Sequence, residues 1–120
     1  MTLATLTPSA GRATEQLAVS VSSEGPAAVV ALRGEVDVAT LPVVREMLDR
    51  VVRAHDGPVV VELAGTRFID SGTVRALAQA SRALGQRGHG LTIRSPSPLA
   101  IRVFGLFGLC DLIVQGEDDR

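Results

Sequence analysis

The residues with the strongest claim to chemistry are Asp70, Ser71, Gly72 and Thr73, which set an acid, a hydroxyl, a glycine and a second hydroxyl side by side. A carboxylate next to an accessible hydroxyl suits nucleophilic catalysis, phosphate acceptance or plain helix capping. The run lies between an apolar strand pattern (Val59, Val60, Val61, Leu63) and residues recurring at helical spacing (Val74, Leu77, Ala78, Ala80, Leu84). It is therefore a strand-to-helix turn. Ser71 is expected at the N-cap, its hydroxyl accepting from the free N–H groups of the first turn. The same position is where an added phosphate would meet the positive end of the helix.

Other chemical candidates are weaker. Gly34, Glu35, Val36 and Asp37 put two carboxylates on one turn, yet no second catalytic cluster accompanies them. His55 and His89 sit in glycine-flanked connections with no Cys or carboxylate at ligand spacing, so they read as solvated loop histidines and no metal site is expected. Gly85, Gly88 and Gly90 end a helix and enter a strand, the reverse of a phosphate-binding turn. Cys110 is the only cysteine, which excludes an intrachain disulfide, fits a cytoplasmic chain and reads as a packed small residue. No Gly-x-Ser-x-Gly elbow surrounds Ser71. No catalytic residue and no cofactor are expected.

The elements that position these residues follow from patterning. Residues 17–23 alternate as a half-buried strand, Glu24, Gly25 and Pro26 turn the chain, and 27–32 is a more uniformly apolar strand. Thr40 is the expected N-cap of a helix carrying Leu41, Val44, Leu48, Val51 and Val52 on one face, with Pro42 tolerated in its first turn. A central, covered strand is expected at 59–63 and a helix from Ser71 to about Arg87, with the helices stacked on one face of the sheet. A short strand follows at 91–94, then a third helix after Ser95, Pro96, Ser97 and Pro98 that faces inward with Leu99, Val103, Leu106 and Phe107. A last short strand is expected at 112–114. The order β-β-α-β-α-β-α-β favours parallel pairing around the helical crossovers, in a mixed, mostly parallel α/β sheet of about five strands.

Composition sets outer limits. At 120 residues with 46% hydrophobic residues the chain forms one domain rather than a disordered one. A formal net charge of −1, no basic run and three phenylalanines as the only aromatics give nucleic acid no purchase, so no direct nucleic-acid partner is expected. No apolar run approaches the roughly 20 residues of a membrane span, so no membrane insertion is expected. Residues 1–16 resemble no signal peptide and are expected to be a flexible arm; residues 17–116 form the domain and 117–120 a short acidic tail.

An ordered set of short motifs adds to this reading. Gly34-Glu35-Val36-Asp37, the strand from Val59 to Leu63, Phe68-Ile69-Asp70-Ser71, Gly88-His89-Gly90-Leu91, Ser95-Pro96 and the stretch from Val103 to Leu109 occur in the order and spacing of the STAS domain. The chain resembles the bacterial anti-sigma factor antagonists over roughly residues 17–116. That resemblance implies a sheet with helices packed mainly on one face, and a binding switch rather than an enzyme. It implies an anti-sigma factor as partner, often a serine kinase of the GHKL type, which phosphorylates the serine after the turn aspartate, and a phosphatase that reverses this. The outcome is control of a sigma factor and of transcription. Carried onto this chain, the acceptor is Ser71, and Asp37 corresponds to the aspartate of the family's Gly-Glu-Leu-Asp turn near it. Partner contacts are expected at Asp37, Asp70, Ser71, Gly72, Thr73 and Arg75.

The family commonly reads Asp-Ser-Ser-Gly-Leu or Asp-Ser-Thr-Gly-Leu where this chain has Asp70-Ser71-Gly72-Thr73-Val74. The exchange makes Thr73 a second candidate acceptor and places a β-branched side chain where the family offers bare backbone. It also supports a second reading, a phosphorylation-independent STAS subunit of a transporter ATPase or signalling scaffold. A third is a small serine hydrolase using Ser71 and Asp37.

Overall fold

The computed structural model describes residues 12–13 and 17–114. Five strands, β1 (Arg12–Ala13), β2 (Leu17–Glu24), β3 (Ala27–Gly34), β4 (Val59–Gly65) and β5 (Leu91–Arg94), lie in sequence order across one sheet. β1 and β2 pair antiparallel, as do β2 and β3, whereas β3, β4 and β5 are parallel. The pairing follows from connection length: two residues, Gly25 and Pro26, turn β2 back into β3, while helical crossovers separate the parallel strands. These crossovers are α1 (Leu41–Ala54) and α2 (Ser71–Gly85); α3 (Pro98–Leu106) follows β5.

Strand residues alternate between two environments. Leu17, Val19, Val21, Ala28, Val30, Leu32, Val59, Val61, Leu63, Leu91 and Ile93 are buried on the face that also receives Val44, Met47, Leu48, Val51 and Val52 of α1. Val74, Leu77, Ala80 and Leu84 of α2 and Phe104 of α3 complete this core. The opposite face carries Ser20, Ser22, Ala31, Val60, Glu62, Thr92 and Arg94, so among the described residues the helices cover β4 on one side, as expected. Val60 stands on the open face between two buried neighbours.

Some expectations are corrected. The stretch 112–114 is no strand: Cys110–Leu112 is a 3₁₀ turn, and Ile113 makes one isolated parallel bridge to Ile93. β1 at the other edge brings the sheet to five strands, and the rest of the expected arm and the acidic tail lie outside the described residues. The buried face of α3 is Ala100 and Phe104, with Val103 partly buried, while Leu99, Leu106 and Phe107 are exposed. Nine residues with apolar side chains on every side carry no usable period, so only packing chooses the inner face. Cys110, expected to be packed, is also exposed.

Across the open face Arg94 forms an ion-pair bridge, with Nε donating to Glu62 at 2.5 Å and both Nη atoms donating to Glu24 at 2.8 and 3.1 Å. Burial acts to raise the Glu62 carboxyl, but hydrogen bonds from Arg94, Ser95 and the Ala64 amide outweigh it, so its pKa lies below the ordinary 4.5. A carboxylate depressed on folding contributes stability that is complete above its unfolded pKa and is lost as pH falls through the folded value. Urea midpoints are therefore expected to be flat near neutrality and to fall below about pH 4.5. Arg94→Met should flatten part of that acid limb. A variant with an unchanged acid limb would show that the bridge does not couple to folding.

Candidate functional site

The connections leaving β3, β4 and β5 emerge at one end of the sheet, where open α/β sheets place their binding crevices. Gly34, at φ 115°, turns the chain out of β3 into the first of them. Asp37 then organises the approach to α1. Its carboxylate accepts from the Ala39 and Thr40 amides at 3.0 and 3.2 Å, and its carbonyl accepts from the Leu41 amide at 2.8 Å. In return the Asp37 amide donates to the Thr40 hydroxyl, which donates to the Glu35 carbonyl. Thr40 holds the N-cap position but does not cap with its side chain, because at φ −99°, ψ −9° its backbone is already helical.

The turn into α2 is also capped by an aspartate. Asp70, extended at φ −99°, ψ 176°, is the N-cap, and its Oδ1 accepts from the Thr73 amide at 3.0 Å and the Thr73 hydroxyl at 2.8 Å. Ser71, expected at the cap, is instead the first helical residue; it is exposed, and its hydroxyl makes no hydrogen bond to the described residues. Asp serves as well as Ser at an N-cap, so the residue that takes an extended backbone decides, and composition cannot. Thr73 is fully buried, so the exchange of hydroxyl and glycine places its methyl and hydroxyl inside the turn rather than on the surface. Gly72 lies where α2 meets α1: a Cβ there would lie 2.9 Å from Leu41 Cδ2 and push that methyl aside.

A third connection locks the second. The Ser97 hydroxyl accepts from the Ala100 amide, capping α3, and donates to the Arg67 carbonyl. Ser97 followed by Pro98 is a recognisable helix-start signal, but the reach back to Arg67 has no local trace. Between Gly34–Asp37 and Gly65–Phe68 lies a cleft of about 440 Å³, and Val38 and Phe68 stand exposed beside it at 81% and 50%. Exposed apolar side chains grouped with a charge are what a protein partner anchors on. The structure thus gathers Asp70, Ser71, Gly72, Thr73 and Arg75 at the start of α2, with Asp37 on the neighbouring loop. Ser71 and Arg75 face outward and Thr73 inward.

The histidines belong elsewhere. His55 Nε2 lies 3.0 Å from the Pro26 carbonyl and His89 Nε2 lies 3.0 Å from Asp56, both at the opposite end of β4 from Ser71. They are tethered rather than simply solvated. Ser71 thus has no histidine as a base, and the Asp37 carboxylate is committed to backbone amides. Among the described residues no group of three His, Cys, Asp or Glu side chains could hold a metal ion, and no helix is long and apolar enough to cross a membrane.

Removing the Asp70 carboxylate should be felt in stability. Asp70→Ala loses a cap worth about 1–2 kcal/mol and strands a buried hydroxyl at about 1–3 kcal/mol more. Asp70→Asn retains an acceptor and should recover most of the loss in urea denaturation. Equal midpoints for Asp70→Ala and the unaltered chain would remove Asp70 from the cap.

The family model described as "Mlab, STAS domain" matches residues 19–115. The anti-sigma-F factor antagonist RsfB of Mycobacterium tuberculosis is 28% identical over 74 residues, 62% of this chain, which spans 61% of that relative's length. The crystal structure of an anti-sigma factor antagonist from Mycobacterium paratuberculosis superposes with TM-score 0.75 at 24% identity, covering 89% of this chain and 92% of that one. The Bacillus cell fate determinant SpoIIAA in its phosphorylated form superposes with TM-score 0.65 at 20% identity, covering 84% and 94%. At these identities the two structures establish a shared fold.

Proposed function

The chain belongs to the STAS domain family, and from that premise we propose that it is a cytoplasmic anti-sigma factor antagonist, a non-catalytic binding protein switched by phosphorylation of Ser71. The observation that carries this reading is an exposed serine at the first position of α2, directly after a capping aspartate, on a connection that also presents exposed Phe68. A kinase can reach that hydroxyl without disturbing the cap. Thr73 offers no such access, since its hydroxyl is buried against Asp70. The partner is an anti-sigma factor, a GHKL-type serine kinase, that docks on the surface formed by Asp37, Ser71, Gly72 and Arg75. A phosphatase restores the unmodified form.

A phosphate adds about −1.5 to −2 charges beside Asp70. The helix N-terminus welcomes it by about 1 kcal/mol at most, so the domain stays folded while an acidic or desolvated partner surface is repelled. Affinity capture from the native host followed by intact-mass analysis tests the reading. Recovery of a kinase, with one phosphate added on Ser71 in its presence and none on Ser71→Ala, is the expected result. Recovery of a transport ATPase with no modification would install the phosphorylation-independent subunit instead.

A further inference from the structure

Arg75 follows Ser71 by one turn of α2, and both are exposed. Residues four apart on a helix have Cβ atoms about 5–6 Å apart, and Cα–Cβ bonds lean toward the N-terminus, so the flexible Arg75 side chain starts within reach of a group on Ser71. In the unmodified protein its guanidinium carbon lies 5.7 Å from the centroid of the Phe107 ring. Among the described residues no carboxylate forms an ion pair with it. Phe107 follows the end of α3 and adjoins Leu106, which is 84% exposed. Arg75 thus partly covers an aromatic ring at an apolar corner of the surface.

An exposed cation–π contact is among the weaker attachments a guanidinium can make, whereas a phosphate takes it through charge-assisted, bidentate hydrogen bonds. An acidic group four residues N-terminal to a basic one is also the favourable order along a helix. We propose that Arg75 leaves Phe107 for the phosphate when Ser71 is phosphorylated, so that modification uncovers the apolar corner formed by Phe107 and Leu106. This rests on Ser71 as the modified residue and adds a second consequence: besides repelling one partner, the phosphate bares a surface that the unmodified protein shields. The two phosphorylation states would then differ in apolar surface as well as in charge.

The chain contains no Trp or Tyr, so Phe107→Trp supplies a single fluorophore at the corner. Phosphoserine is installed at position 71 during translation, which makes the result independent of any kinase. Phosphorylation is expected to shift the emission to the red. Arg75→Met in the same background should be red-shifted already and should not respond to the phosphate. Ring-labelled phenylalanine in the otherwise unaltered chain gives a second reading by NMR: the Phe107 signals move with phosphorylation, those of buried Phe104 stay, and Arg75→Met abolishes the movement. Unmoved Phe107 signals, or equal movement with and without Arg75, would overturn the proposal. That failure leaves the Ser71 switch standing, whereas partner affinity unaffected by the phosphate would sink the switch and leave the Phe107 shift intact.

Discussion

Val61→Asp is expected to leave no cooperatively folded domain. Val61 is fully buried in β4 and pairs in register with Val30 on one side and Ile93 on the other, both equally buried. A carboxylate there has no cationic partner on the helix-covered face, and an unpaired charge in such a place costs several kcal/mol even after relaxation. Lost burial of the valine side chain adds about 1.5–3 kcal/mol. Domains of this kind have about 5–15 kcal/mol in total. Val60→Thr, one residue away on the open face, should change stability little. Circular dichroism and thermal melts of the two variants check this, and a Val61→Asp domain melting with the unaltered protein would mean that β4 does not face the core with Val61.

Ser71→Asp is expected to weaken binding of the proposed anti-sigma partner by more than a hundredfold, about 3 kcal/mol, without lowering the melting temperature. The two readouts separate because of where the structure places this serine. Ser71 is not the cap, so neither Ser71→Asp nor Ser71→Ala removes a hydrogen bond from α2. An acid at the first helical position gains from the helix dipole by about 0.3–1 kcal/mol. Ser71→Ala, which would lose about 1 kcal/mol if it were the cap, becomes a clean control that binds the partner but cannot be switched. Calorimetry with the captured partner measures the difference. Equal affinity for Ser71→Asp and the unaltered chain would exclude charge at this position as the switch.

The sequence by itself determined the architecture and the place of the turn into α2. Alternation in 17–23, the apolar run at 59–63 and helical spacing after Leu41 and Val74 are local signals, written in consecutive residues, and the folded elements follow them closely. The strand-turn-helix at Asp70 and Ser71 is equally local, and so is the order of strands and crossovers that makes three strands parallel. Tertiary structure decided whatever depended on a choice between equivalent residues. Asp70, Ser71 and Thr73 are all residue types that suit an N-cap, and backbone geometry selected Asp70, turned Thr73 inward and left Ser71 exposed. α3 carries apolar residues on several sides, so packing into the shared core selected Ala100 and Phe104 and left Leu106 outside. The bridge from Glu24 to Arg94 to Glu62, the hold of Ser97 on Arg67 and the stacking of Arg75 on Phe107 join residues about 30 or more positions apart. No period or motif spans such distances; only the packed sheet and helices bring those side chains within reach of one another.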